Sequence, residues 1–315
     1  MKIGIVEPQD FSKEAKSKLN SIGVVSNFDE NASSLETFIS DKDVLFVRLK
    51  YFYSKEILSN AKNLKYICSP TTGLNHIDTE YAKGSKIQII SLKGETDFLN
   101  EITATSEHTF GLVVSLLRFF KRAFSQKNAT NENRNLVKGY EINSSKVGII
   151  GLGRIGSHLI KYFNAFGAEV NYYDIDNSKE NSSARKFLSL ESLVEASDII
   201  ILTASYSSKN KKMIGRNIID MMKDKYFVNT SRGELVDEEY LLDCVSKGFF
   251  SGVAIDVFSN EQGSSNNSEK IMQLSSLDLN FIYTPHMGGA TITSMKKTED
   301  FISSKLESTI NKDSL

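Results

Sequence analysis

The sequence contains no tryptophan, only three prolines, two cysteines and four histidines among its 315 residues. Cys68 and Cys244 give neither a disulfide framework nor a metal-ligand spacing. Disulfide-stapled and zinc-ribbon classes are therefore excluded, and a reducing compartment is expected. No apolar run reaches the ~18 residues of a membrane span. The opening MKIGIVEP is a short apolar run ended by Glu7 and Pro8. It is too short for a secretion signal and reads as a first buried strand. An excess of one charge is also missing, since 38 Lys and Arg stand against 39 Asp and Glu. No nucleic-acid or membrane partner is expected from that balance, and a cytoplasmic protein is. What remains is an ordinary globular composition, 40% hydrophobic and 24% charged. Its length suggests about two domains of ~150 residues each.

Residues 1–95 alternate short apolar runs with amphipathic stretches. IGIV (3–6), VLFV (44–47), LKYIC (64–68) and IQII (87–90) read as strands, with helices over 11–20 and 54–62. That alternation argues βαβ units and a parallel sheet. Residues 102–127 read as one long helix, apolar around nearly its whole circumference between Phe110 and Phe120, so buried on several sides. Residues 128–145 read as an exposed arm. Alternation resumes with KVGII (146–150), EVNYYD (169–174), DIIILT (198–203), KYFVNT (225–230), GVAIDV (252–257) and FIYT (281–284). QGSSNNSEK (262–270) reads as a polar loop and residues 291–311 as a closing helix. There is no internal repeat.

KVGIIGLGRIGSHLIKYF (146–163) carries Gly151, Gly153 and Gly156 in the spacing G-x-G-x-x-G. The spacing alone is weak. Here it lies between a buried strand and an amphipathic helix, and a second strand ends in Asp174. Gly151 permits the tight turn, Gly153 lets backbone approach a pyrophosphate, and Gly156 lets helix and strand pack closely. The helix start, with Arg154 and Ile155, offers N–H groups and positive dipole to phosphates. Asp174 suits the adenosine ribose hydroxyls and repels a 2′-phosphate, so NAD is the expected cofactor.

Three residues that could do chemistry follow predicted strands downstream. Arg232 lies in VNTSRGELVDEE, Glu261 after GVAIDVFSN, and His286 in TPHMGGAT. Taken singly, each has a bland reading as a surface or structural residue. Together, at strand ends after a dinucleotide loop, they match the needs of 2-oxo acid reduction. Arginine binds a carboxylate bidentately and polarises the carbonyl. Histidine moves a proton near neutrality. A carboxylate beside it orients the ring and favours its charged form.

GLGRIG…YYD, VNTSRGELVDEEYLL, GVAIDVFSNE and TPHMGGAT, in this order, resemble the D-isomer-specific 2-hydroxyacid dehydrogenase family. GLNHID (73–78) and the stretch around Glu107 extend the resemblance more weakly over the first half. The resemblance implies an NAD-dependent dehydrogenase with two Rossmann-like or flavodoxin-like α/β domains, each on a parallel sheet, around a cleft. A substrate domain would comprise 1–96 and 287–315, and an NAD-binding domain 97–286. Arg232 would bind substrate, His286 would be the acid/base, and Glu261 would pair with it. Asp256 would meet the nicotinamide carboxamide. Gly151, Gly153, Arg154, Ile155, Gly156, Asp174, Thr203, Ser205, Thr230, Arg232, His286 and Gly288 would complete the cofactor site. The backbone at Thr72, Gly73 and Leu74 would hold the substrate. A homodimer would form through about 100–140. With nothing after residue 315, the short form without a regulatory domain is expected.

Two departures stand out. Gln262 occupies the position after Glu261 where the family usually has proline, and Thr203 and Ser205 stand where His and Pro are usual. Arg48 and Lys50 in VRLKYF resemble the Arg-x-Arg position that faces the substrate phosphate in phosphoglycerate dehydrogenases; the plainer reading is a solvated pair. The candidate substrates are thus a small 2-hydroxy or 2-oxo acid, with 3-phosphoglycerate, glyoxylate and hydroxypyruvate among them. Formate dehydrogenases of this fold carry Gln at the position of Glu261, which argues against them; phosphite remains compatible with the triad. From another class, a dinucleotide-sensing scaffold like the family's corepressors also retains the triad. His76, His108 and His158 read as structural, and no metal is expected.

Overall fold

The computed structural model describes residues 1–125, 131–261 and 266–313. Among them the strands form two all-parallel sheets, and the chain divides into two compact units, Met1–Ile102 with Ala290–Leu315, and Thr103–Gly289.

The first unit is built on β1 (Lys2–Ile5), β2 (Val24–Asn27), β3 (Val44–Phe46), β4 (Tyr66–Ser69) and β5 (Gln88–Ser91), in the order β2-β1-β3-β4-β5. That is the flavodoxin-like order. The apolar runs are buried on both faces because helices cover both, as a parallel sheet requires. β2 escapes a reading by apolar runs because VVSN is half polar and lies at the sheet edge. The crossings between the two compact units fall at 102/103 and 289/290. The helix Thr96–Asn100 stays with the first unit because Phe98 stacks on Phe301, ring centroids 4.0 Å apart, in the closing helix Ile292–Asp313.

The second unit is built on β6 (Lys146–Ile150), β7 (Glu169–Tyr173), β8 (Arg185–Lys186), β9 (Ile199–Leu202), β10 (Tyr226–Asn229), β11 (Gly252–Ile255) and β12 (Phe281–Tyr283). Their order is β12-β11-β10-β9-β6-β7-β8. Strand order reverses between β6 and β9, the doubly wound arrangement whose ligands sit at the carboxyl ends of the strands around that switch point. All seven strands run parallel. The loops after β6, β7, β9, β10, β11 and β12 therefore share one edge.

The long helix expected over 102–127 is broken. One helix runs Ala104–Leu117, Phe119 turns left-handed at φ 50°, and a short helix follows over Phe120–Phe124. The break has a visible cause. Tyr140 N–H donates to the Leu117 carbonyl at 2.9 Å, so returning chain takes an acceptor at the helix end. A Cβ on Gly139 would lie 2.1 Å from that same carbonyl oxygen, so only glycine lets the chain pass so close. The all-round apolarity is consumed within this unit. Leu112, Val113, Leu116 and Leu117 join the sheet core, and Phe110 packs among Tyr162, Phe163 and Phe166. The polar stretch 262–270 is not all loop, since a helix spans Asn266–Ser276. Ile271 and Leu274, three apart, bury its inner face. Residues 262–265 lie outside the described residues.

Candidate active site

The glycine loop leaves β6 at the switch point. Gly151 sits at φ 102°, which side chains rarely adopt, and a Cβ there would lie 2.7 Å from the backbone of Ala204 after β9. A Cβ on Gly156 would lie 2.3 Å from the Gly151 carbonyl oxygen. A Cβ on Gly153 would meet nothing within 4 Å. Two glycines are thus required by the fold, while the third opens onto free space where the helix Arg154–Ala165 begins. That is the cradle a pyrophosphate needs. Asp174 closes the site from β7. Its Oδ2 accepts the Leu152 N–H of the loop at 2.7 Å and Lys179 Nζ at 3.1 Å; its Oδ1 accepts Asp176 N–H at 2.9 Å.

The residues after β9 and β10 support this loop as much as they line it. Thr203 Oγ1 donates to the carbonyls of Ile150 and Gly151, at 3.1 and 2.7 Å. Ser205 is exposed, with its carbonyl accepting from Asn210. The Thr230 hydroxyl, buried, lies 2.7 Å from that of Thr109. Asn229 Nδ2 donates to the Arg232 carbonyl at 3.1 Å, and its Oδ1 accepts Ser231 N–H at 3.0 Å, so β10 ends in a fastened turn. Arg232 has extended backbone, and its Nη1 donates to the Ser231 carbonyl at 2.6 Å. A Cβ on Gly233 would lie 2.2 Å from the backbone of Phe258 and Ser259. The glycine therefore lets the Arg232 loop press against the loop that carries Glu261.

Glu261 and His286 meet. Glu261 Oε2 lies 2.6 Å from His286 Nδ1, and Oε1 accepts Phe258 N–H at 3.0 Å. The imidazole is 29% exposed, and its Nε2 has no hydrogen-bond partner among the described residues. His286 is left-handed at φ 50°. Its N–H donates to the Asp256 and Thr284 carbonyls at 2.8 and 2.9 Å. A ring anchored at one nitrogen with the other open is the arrangement for moving a proton to or from a bound molecule.

Two further acids, Asp256 and Glu238, hold this pair in place. Asp256, 1% exposed, accepts Thr284 Oγ1 at 2.6 Å and the N–H groups of Met287 and Gly288 at 2.9 Å each. His108 Nε2 is 3.3 Å from its Oδ1. Burial pushes the Asp256 carboxyl up, but the hydrogen bonds from His108, Thr284, Gly288 and Met287 outweigh it and leave it below its ordinary value. The expected carboxamide partner would thus meet a carboxylate whose oxygens already carry donors from the chain. Glu238 accepts Ser259 N–H at 2.8 Å and Asn267 Nδ2 at 2.6 Å. It ties the Glu261 loop to the helix Asn266–Ser276, and burial raises its carboxyl above the usual value.

The first unit's candidates are placed separately. Thr72, Gly73 and Leu74 follow β4, where Thr71 Oγ1 donates to the Gly73 carbonyl at 2.8 Å and Ser69 Oγ lies 3.0 Å from buried His76. Arg48 and Lys50 do not converge. Arg48 Nε donates to Glu299 Oε1 at 3.0 Å, its Nη2 contacts the same oxygen, and its Nη1 donates to the Gln9 carbonyl at 2.9 Å. Lys50 Nζ donates to Glu30 at 2.7 Å. Arg48 and Lys50 thus each enter an ion pair of their own.

Comparison with known proteins agrees with this architecture. Residues 110–288 match the family described as D-isomer specific 2-hydroxyacid dehydrogenase, NAD binding domain. An aromatic 2-oxoacid reductase of Clostridium sporogenes is 32% identical over 75% of this chain and 73% of its own length. A hydroxypyruvate reductase of Thermotoga maritima is 30% identical over 84% of this chain and 83% of its own. Among solved structures, the D-lactate dehydrogenase of Aquifex aeolicus complexed with NAD and lactic acid has a TM-score of 0.80 at 26% identity, covering 99% of this chain and 96% of that one.

Proposed function

The chain belongs to the D-isomer specific 2-hydroxyacid dehydrogenase family, whose members act on a CH–OH group with NAD(P), and we propose that it is an NAD-dependent reductase of a small, unphosphorylated 2-oxo acid. The observation that carries this reading is the 2.6 Å pair of His286 Nδ1 and Glu261 Oε2, held on the edge that also bears the glycine loop. The loop fits the cofactor, because Gly153 leaves open space at a helix start and Asp174 stands at the end of β7. Gly151, Gly153, Arg154, Ile155, Gly156 and Asp174 would hold the dinucleotide, which when bound supplies hydride chemistry at its nicotinamide.

The chain's own residues do the rest. Arg232 binds the substrate carboxylate and polarises the adjoining carbonyl. His286 gives a proton through Nε2 to the oxygen that becomes the hydroxyl, and takes it back in the oxidising direction. Glu261 fixes the ring's orientation through Nδ1. Thr72, Gly73 and Leu74 would hold the substrate through backbone. The names of the similar proteins, an aromatic 2-oxoacid reductase and a hydroxypyruvate reductase among them, support a 2-oxo acid without selecting its side chain. The ion pairs of Arg48 with Glu299 and Lys50 with Glu30 weigh against a phosphate on it.

The test is NADH consumption with hydroxypyruvate, glyoxylate, pyruvate, phenylpyruvate and 3-phosphohydroxypyruvate side by side. Turnover of an unphosphorylated acid is expected; a strong preference for the phosphorylated one would overturn that part of the reading. A homodimer through about 100–140 is proposed as well. It is supported by Phe124, Leu136 and Tyr140, which stand 80, 60 and 63% exposed. Light scattering should report twice the chain mass, and a monomer at assay concentrations would count against it.

A further inference from the structure

The turn after β7 is fastened along its length. Asp174 Oδ1 accepts Asp176 N–H at 2.9 Å, and Asp176 Oδ1 accepts the N–H and hydroxyl of Ser178 at 3.0 and 2.6 Å. The Lys179 N–H donates to the Asp176 carbonyl at 3.2 Å. From beneath, the hydroxyl of buried Tyr172 donates to the Lys179 carbonyl at 3.4 Å and accepts Asn181 N–H at 3.2 Å. Lys186 Nζ donates to the Asn177 carbonyl at 2.6 Å. A turn held this way directs Lys179 back toward the strand end. Its Nζ lies 3.1 Å from Asp174 Oδ2, while the side chain stays 41% exposed.

We propose that Lys179 is a specificity-determining residue for the nucleotide, setting how strongly the loop discriminates between a free adenosine 2′-hydroxyl and a 2′-phosphate. This rests on the dinucleotide reading of the glycine loop. An unpaired Asp174 would reject a phosphate by like charge. Here its charge is balanced by an ammonium on a flexible stem, half in solvent, beside the place where the ribose must lie. The other carboxylate of the turn, Asp176, is occupied with Ser178. When a 2′-hydroxyl is present, Asp174 keeps lone pairs for it and Lys179 can withdraw into water. When a 2′-phosphate is present, Lys179 can leave Asp174 and pair with it, as a lysine suits phosphate as a point charge. The protein therefore favours NAD, and such tolerance as it has for the phosphorylated nucleotide resides in Lys179.

The experiment is a fluorescence titration of NADH and NADPH onto the wild type, Lys179→Gln and Lys179→Arg. In Lys179→Gln, NADPH should bind roughly tenfold more weakly at low salt while NADH changes by less than about twofold. Lys179→Arg should keep the wild-type ratio of the two dissociation constants, and added salt should narrow the gap between wild type and Lys179→Gln. An unchanged ratio in Lys179→Gln would overturn the role of Lys179, as would a wild type that binds NADH but no measurable NADPH. A wild type that binds neither nucleotide would overturn the dinucleotide reading and this inference with it.

Discussion

Replacement of His286 by asparagine should lower kcat for 2-oxo acid reduction by about 10²–10⁴-fold, the usual worth of a positioned acid/base. Asparagine is the informative choice. It tolerates the left-handed backbone that His286 adopts at φ 50°, so loss of activity will not simply report strain. The ring is 29% exposed, so its removal leaves no core cavity. Asp256 and Thr284 still hold the backbone N–H at 2.8 and 2.9 Å. Nucleotide titration and thermal unfolding of the variant should therefore stay close to wild type while turnover collapses. Glu261→Gln should lose less. Its amide can still accept from Nδ1, which preserves the ring's orientation while removing the negative charge beside it. A His286→Asn variant that keeps wild-type turnover would remove the acid/base role and leave the dinucleotide site without a known reaction.

Much of this site could be read from sequence because its information is local. Apart from the polar edge strand β8, the strands of the second sheet are short apolar runs, and IIIL in β9 is fully buried, so alternation with amphipathic stretches is enough to expect a parallel sheet. The glycine loop was equally local: turn, open space and close packing occupy six consecutive residues. The supports were not local. Asp256 holds Met287 and Gly288 across 31 and 32 residues, and Glu238 holds Ser259 across 21. A carboxylate in a sequence announces a charge, not its partner. The break at Phe119 depends on chain returning at Gly139 and Tyr140, which no helical periodicity contains. The helix at Asn266 was hidden because Ser, Asn and Gly around it favour turns in isolation, and burial of Ile271 and Leu274 overrides that preference.

Arg48 shows what such a hidden partner changes. Its local pattern, a cation two residues from Lys50 after a strand, suggested a substrate clamp; its partner Glu299 is 251 residues away and fully buried. Arg48→Met should therefore destabilise the protein by about 3–5 kcal/mol, because it leaves a carboxylate buried without its counter-ion. Glu299 would keep the Ser12 N–H at 2.7 Å, which is too little to replace a guanidinium. Burial already raises the Glu299 carboxyl, with the Ser12 N–H and Arg48 pulling it back only in part. A folded-state value above the unfolded one means that stability is lost as pH rises through it. Without Arg48 the value rises further, so the destabilisation should be largest near neutrality and shrink as pH falls toward about 4, where the unfolded carboxylate also takes its proton. Urea unfolding across that range measures it. The double variant Arg48→Met/Glu299→Gln should recover much of the loss, because the amide oxygen can still accept from Ser12 and no charge is left behind. If Arg48→Met were instead as stable as wild type and lost activity only toward a phosphorylated acid, the arginine would be a substrate residue after all. Loss of activity in an Arg48 variant on its own cannot distinguish these, since an unfolded first unit is inactive toward every substrate.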